Sequence, residues 1–77
     1  MHVLLVGLHS SRAPLALRER AAFAAPAGAG EYVRARAGVA EALVLSTCNR
    51  VELYAAAPRG DDGAATRLLG VLAERAG

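Results

Sequence analysis

Seventy-seven residues bound the chain to one small domain or part of one, and a domain of that size buries only about 60% of the surface its unfolded chain exposes. Nine arginines, no lysine and seven acidic residues leave a net charge of +2, too mild a surplus to mark nucleic-acid binding by charge alone. A single cysteine excludes an intramolecular disulfide and a cysteine-based zinc cluster, and the apolar start Val3 to Val6 is too short for a membrane span or a signal core, so the cytoplasm is the expected compartment.

The first expected element is a strand from His2 to Leu8, with Val3-Leu4-Leu5-Val6 as its buried run. Gly7 near its end suits a turn or a close backbone approach. Ser10-Ser11-Arg12-Ala13-Pro14 then reads as a helix start, with a serine cap and Pro14 in the first turn, where its missing N–H does no harm. The helix runs from Leu15 to Phe23; Leu15, Leu17 and Phe23 supply apolar contacts, and Arg18, Glu19 and Arg20 line a solvated face. Ala24 to Gly30 interrupts it with breaker residues. Helical patterning resumes from Glu31 to Ala37, with Tyr32 and Val33 facing inward and Gly38 as the C-cap. Gly28-x-Gly30 follows no strand and has Val33 at the third glycine position, so it is not a dinucleotide fingerprint.

A hairpin is expected from about Glu41 to Ala57, built from the apolar run Ala42-Leu43-Val44-Leu45 and from alternation of Val51, Leu53 and Ala55 with Glu52, Tyr54 and Ala56. Pro58 to Gly63 is a loop, with Asp61 or Asp62 capping a last helix, Ala64 to Ala76, whose apolar stripe is Ala65, Leu68, Leu69 and Leu72. Much of the 55% apolar content is alanine, so the core is expected from Leu, Val and the aromatics Phe23, Tyr32 and Tyr54. The order strand, helical segment, strand, strand, helix is an α+β arrangement. It contains five elements of a ferredoxin-like split β-α-β fold (β-α-β-β-α) and lacks the fourth strand. One sheet edge or helix face is then left open, which favours self-association.

The polar cluster Thr47-Cys48-Asn49-Arg50 falls at the junction of the two hairpin strands, where rigid elements hold side chains that the junction exposes. A cysteine attacks a carbonyl as its thiolate, and a neighbouring cation favours that form. Arg50, two residues on, shares the face of Cys48 if the backbone stays extended; it could favour the thiolate or bind a substrate carboxylate through two parallel hydrogen bonds. Thr47 and Asn49 add a hydroxyl and an amide that orient a bound carbonyl or close the turn. The competing reading is a buried structural thiol in a non-catalytic α+β module used for packing or RNA contact.

Ser46-Thr47-Cys48-Asn49-Arg50-Val51-Glu52-Leu53-Tyr54 resembles the signature of glutamyl-tRNA reductase, the first enzyme of five-carbon tetrapyrrole (haem, porphyrin) synthesis. Val6-Gly7-Leu8, Ala13-Pro14, Leu17-Arg18-Glu19-Arg20 and Ala22-Phe23 are similar to the N-terminal segment of the same family. The resemblance implies residues 1–77 as an N-terminal fragment of the family's catalytic domain, without its NADPH-binding and dimerisation domains. It implies that Cys48 is the nucleophile toward glutamyl-tRNA and forms a glutamyl thioester. NADPH then reduces the thioester to glutamate-1-semialdehyde in a homodimeric parent enzyme. Thr47, Asn49 and Arg50 match the family's substrate-binding neighbours, and no NADPH is expected to bind this chain itself. The family's histidine before Ala-Pro stands one position early here, as His9, which reads as a satisfied loop histidine; Glu52 and Tyr54 orient neighbours rather than react.

Overall fold

The computed structural model describes residues 1–23 and 28–77, so most of the breaker stretch after Phe23 lies outside the described residues. Among the described residues three strands and three helices follow in the order β1 (His2–His9), α1 (Leu15–Ala21), α2 (Ala29–Ala37), β2 (Glu41–Ser46), β3 (Arg50–Ala57) and α3 (Ala64–Ala76). β3 is the central strand, antiparallel to β1 on one side and to β2 on the other. The helical segment between β1 and β2 carries the chain across, so those two strands run in the same direction with β3 between them. This is the split β-α-β arrangement read from the sequence, without a fourth strand. Among the described residues β1 and β2 are the sheet edges.

Period-two alternation decides which sheet face the helices cover. Val51, Leu53, Ala55 and Ala57 of β3 are buried, and Leu4, Val6, Leu8, Ala42 and Val44 of the edge strands pack against the same cluster. Val33 and Ala37 of α2 and Leu68, Val71 and Leu72 of α3 close it from above. The opposite face has no helix on it among the described residues, and Val3, Leu5, Leu43 and Leu45 are exposed there.

Alanine matters more to this core than its small side chain suggested, because it lets helices approach closely: Ala21, Ala37, Ala57 and Ala64 are fully buried. The expected aromatic core is not found. Phe23 packs at the edge of the cluster, Tyr32 is 38% exposed, and Tyr54 belongs to the open sheet face. Tyr32 lies on the flank of α2, edge-on to Phe23 with ring centroids 6.2 Å apart. On α3 the inward residue is Val71, not Leu69, which is 53% exposed.

Helix ends also depart from the sequence reading. α1 stops at Ala21, where Ala22 turns extended (φ −62°, ψ 151°), and Pro14 occupies the N-cap position without a side-chain cap. α2 starts at Ala29, ahead of Glu31, and ends on Gly38 at φ 66°, the left-handed C-cap expected there. Neither aspartate caps α3. Gly63 stands at its N-cap, and Asp61 instead accepts two hydrogen bonds from Arg67, at 2.6 and 3.0 Å. That pairing holds the Asp61 carboxyl below its ordinary pKa and raises the guanidinium of Arg67.

Gly30 of the Gly28-x-Gly30 pair has a packing role. A Cβ at this position would stand 2.7 Å from the Ala42 carbonyl oxygen, so its absence lets α2 lie directly on β2.

Candidate active site

β2 and β3 are joined by a tight turn over Thr47, Cys48 and Asn49, closed by Thr47 N–H donating to the Arg50 carbonyl at 2.8 Å. The hydroxyl oxygen of Thr47 accepts the N–H groups of Asn49 and Arg50, each at 3.2 Å. The Asn49 carbonyl accepts the Ser10 N–H at 2.8 Å, which ties the turn to the end of β1. Thr47, Cys48, Asn49 and Arg50 are all exposed, with Cys48 at the tip. A buried structural thiol would need the opposite placement.

The backbone does not stay extended through Cys48, so Cys48 and Arg50 do not share a strand face. Arg50 opens β3 and projects with the even-numbered residues toward the open sheet face. There its guanidinium lies 3.6 Å from Glu52 Oε1, and Tyr54 donates its hydroxyl to the same oxygen at 3.0 Å. The Glu52 carboxylate, itself only 17% exposed, keeps the phenol proton of Tyr54 in place and raises its pKa. Gly7 makes room for this row: a Cβ there would meet the Val51 carbonyl oxygen at 2.6 Å and Glu52 Cγ at 3.1 Å.

On the helix side of the turn lies a cleft with a cavity volume of ≈ 320 Å³, bordered by Leu15, Arg18, Glu19 and Phe23 of the α1 segment and by Ser46, Thr47 and Cys48. Arg18, expected on a solvated face, is half-buried here. Its Nε donates to the Ala13 carbonyl at 3.1 Å, and its Nη1 donates to the carbonyl oxygen of Cys48. Ser46 is drawn in as well, since its hydroxyl accepts the Phe23 N–H at 3.1 Å. Both residues were missed as site components, although Arg18 stands in the second block that resembled the family. His9 is the last residue of β1 rather than a loop residue, but it is satisfied locally as expected: its Nδ1 accepts the Ser11 N–H at 3.1 Å and lies 3.0 Å from the Ser11 hydroxyl.

An exposed thiol thus stands on a turn tied to the end of β1 and to the α1 segment, at the border of a cleft. Comparison with known proteins agrees with the motif that carries it. A family model described as glutamyl-tRNAGlu reductase, N-terminal domain, matches residues 6–77. The chain belongs to this glutamyl-tRNA reductase N-terminal family. It is 45% identical over 80 aligned residues to the glutamyl-tRNA reductase of Rubrobacter xylanophilus, a match covering 100% of this chain and 18% of that protein. The glutamyl-tRNA reductase of Xanthomonas campestris pv. phaseoli is 54% identical over 59 residues, covering 74% of this chain and 14% of that protein. That of Syntrophotalea carbinolica is 47% identical over 58 residues, 73% of this chain and 13% of that protein. The chain thus spans less than a fifth of the length of these relatives. No solved structure matches it.

Gly28-x-Gly30 is not built as a dinucleotide turn: α2 follows no strand directly, and Gly30 in its first turn is used for packing against Ala42. No helix among the described residues is long and apolar enough to cross a membrane.

Proposed function

We propose that this chain supplies the nucleophile half-site of a glutamyl-tRNA reductase acting in tetrapyrrole biosynthesis. The exposure of Cys48 at the tip of a hydrogen-bonded turn carries the reading. The Cys48 thiolate attacks the ester carbonyl carbon of glutamyl-tRNA. A carbon–sulfur bond forms, the bond to the ribose oxygen breaks, and tRNA leaves as its free hydroxyl with a proton from the medium, so a glutamyl thioester remains. The reading leaves Cys48 as the catalytic residue and Arg50 as the partner of the glutamate side-chain carboxylate. Asn49 contributes its amide to the substrate, and Thr47 acts mainly by holding the turn.

NADPH-dependent reduction to glutamate-1-semialdehyde is proposed for the parent enzyme and routed through no residue of this chain. A cytoplasmic setting follows from the tRNA substrate, and self-association from the apolar sheet face left open by Val3, Leu5 and Leu43.

Incubation with glutamyl-tRNA followed by mass spectrometry of the intact chain tests the acyl step. A glutamyl adduct on Cys48, lost in Cys48→Ser, is the expected result. Arg50→Ala should reduce the preference for glutamate over a neutral aminoacyl group on the order of fivefold. The loss stays that small because Arg50 is 45% exposed and already shares Glu52. No adduct in a demonstrably folded sample would overturn the proposal.

A further inference from the structure

Five N–H donors make up a guanidinium, and Arg18 uses two of them, on the carbonyls of Ala13 and Cys48. Three remain, and among the described residues no carboxylate forms an ion pair with this side chain. The contrast with Arg50 is sharp: that guanidinium faces the other side of the sheet and is paired with Glu52. α1 therefore brings a half-buried guanidinium with no ion-pair partner to the cleft bordered by Cys48, where Glu19 is the one carboxylate in the lining, and anchors it by the fixed fork geometry that arginine alone provides. The second anchor of the same segment, Phe23 N–H on the Ser46 hydroxyl, holds the other side of the turn, so α1 grips the strand end at two points.

We propose that Arg18 is a positioning residue of the Cys48 site: it fixes the carbonyl of the nucleophile and holds a positive charge at the cleft through which an anionic acyl donor approaches. The inference rests on the reading of Cys48 as nucleophile, but its test is separable from that reading. A positive charge at the cleft bordered by Cys48 favours an anionic electrophile over a neutral one of the same shape, whereas a purely structural arginine would leave that preference untouched.

The measurement is the ratio of Cys48 alkylation rates by iodoacetate and by iodoacetamide, taken on the 77-residue chain at low ionic strength. Arg18→Gln should lower the ratio about twofold to threefold, with the effect fading as salt is raised. Arg18→Lys should restore the ratio while glutamyl transfer to Cys48 stays slowed, because an ammonium keeps the charge and loses the fork. An unchanged ratio in a folded Arg18→Gln chain overturns the proposal. If neither variant folds, nitrogen-15 spectra of the wild-type arginines decide. A restrained Arg18 Nε–H signal that moves when Cys48 is alkylated supports the assignment, and a freely rotating one that does not move overturns it. Failure of the nucleophile reading looks different: no glutamyl adduct forms, while the alkylation ratio still responds to Arg18.

Discussion

Gly30 and Gly70 are both helical glycines, and replacing each with alanine should change stability in opposite directions. Helix propensity alone favours alanine over glycine by about 1 kcal/mol at either position. At Gly70 in α3 nothing lies within 4 Å of the added Cβ, so that gain should be realised. At Gly30 the Cβ would stand 2.7 Å from the Ala42 carbonyl oxygen. That atom belongs to the backbone of β2, so no flexible side chain can yield; the helix must move off the sheet, and Val33 and Ala37 lose contact with the core. Overpacking of this kind costs about 1–3 kcal/mol, which outweighs the propensity term. In a domain of this size each kcal/mol moves the melting temperature by roughly 4–8 °C. Thermal unfolding followed by circular dichroism should therefore show Gly70→Ala melting several degrees higher and Gly30→Ala several degrees lower. A Gly30→Ala chain as stable as the parent would refute the close contact between α2 and β2.

Thr47→Val keeps the shape but removes the acceptor of two backbone N–H groups, so it should cost about 1–2 kcal/mol, and Thr47→Ser should recover most of it; denaturant titration of the three chains checks this. The Asp61–Arg67 pair depresses the carboxyl pKa, so its contribution is fully present above the unfolded value of about 4 and is lost as the pH falls through the lower folded value. The melting-temperature gap between the parent chain and Asp61→Asn should accordingly be constant above about pH 5 and close toward pH 2. Tyr54 has the opposite sign: its raised pKa contributes stability below about pH 10, lost as the pH rises through the folded value. In Glu52→Gln one phenolate absorbance step should move to lower pH, and superimposable titrations would remove Glu52 as the cause.

Backbone pattern was legible where period and burial agree. The alternation of β3, the C-cap at Gly38 and the order of elements could all be read directly, because each depends on neighbours in sequence. Placement that depends on distant neighbours could not. Leu69 fits a helical stripe as well as Val71 does, and only the position of α3 over the sheet decides between them. Asp61 is an ordinary cap residue by type, yet Arg67 one turn into α3 claims it. For the site, the motif residues were located correctly at the strand junction, but the bend at Thr47–Asn49 separated Cys48 from the face of Arg50. Arg18 was unreadable for the same reason: it stands thirty positions before Cys48, and the contact exists only because α1 crosses the strand end.

That crossing gives the turn two unlike sides. Toward the open sheet face, Arg50 is balanced by Glu52, and Tyr54 fixes the carboxylate in turn. An anion binding there must compete with a carboxylate already in place, so it gains little unless it makes both parallel hydrogen bonds, which favours a side-chain carboxylate of the right reach. Toward α1, Arg18 is hydrogen-bonded to carbonyl dipoles and forms no ion pair, although Glu19 lines the same cleft, so its charge attracts anions with little choice among them. On the proposed function, a site that needs both capture and discrimination would be served by such a division, with the guanidinium of Arg18 drawing the ligand in and that of Arg50 testing its shape. Cys48 stands exposed on the turn from β2 into β3, its carbonyl held by Arg18, with Arg50 two residues on.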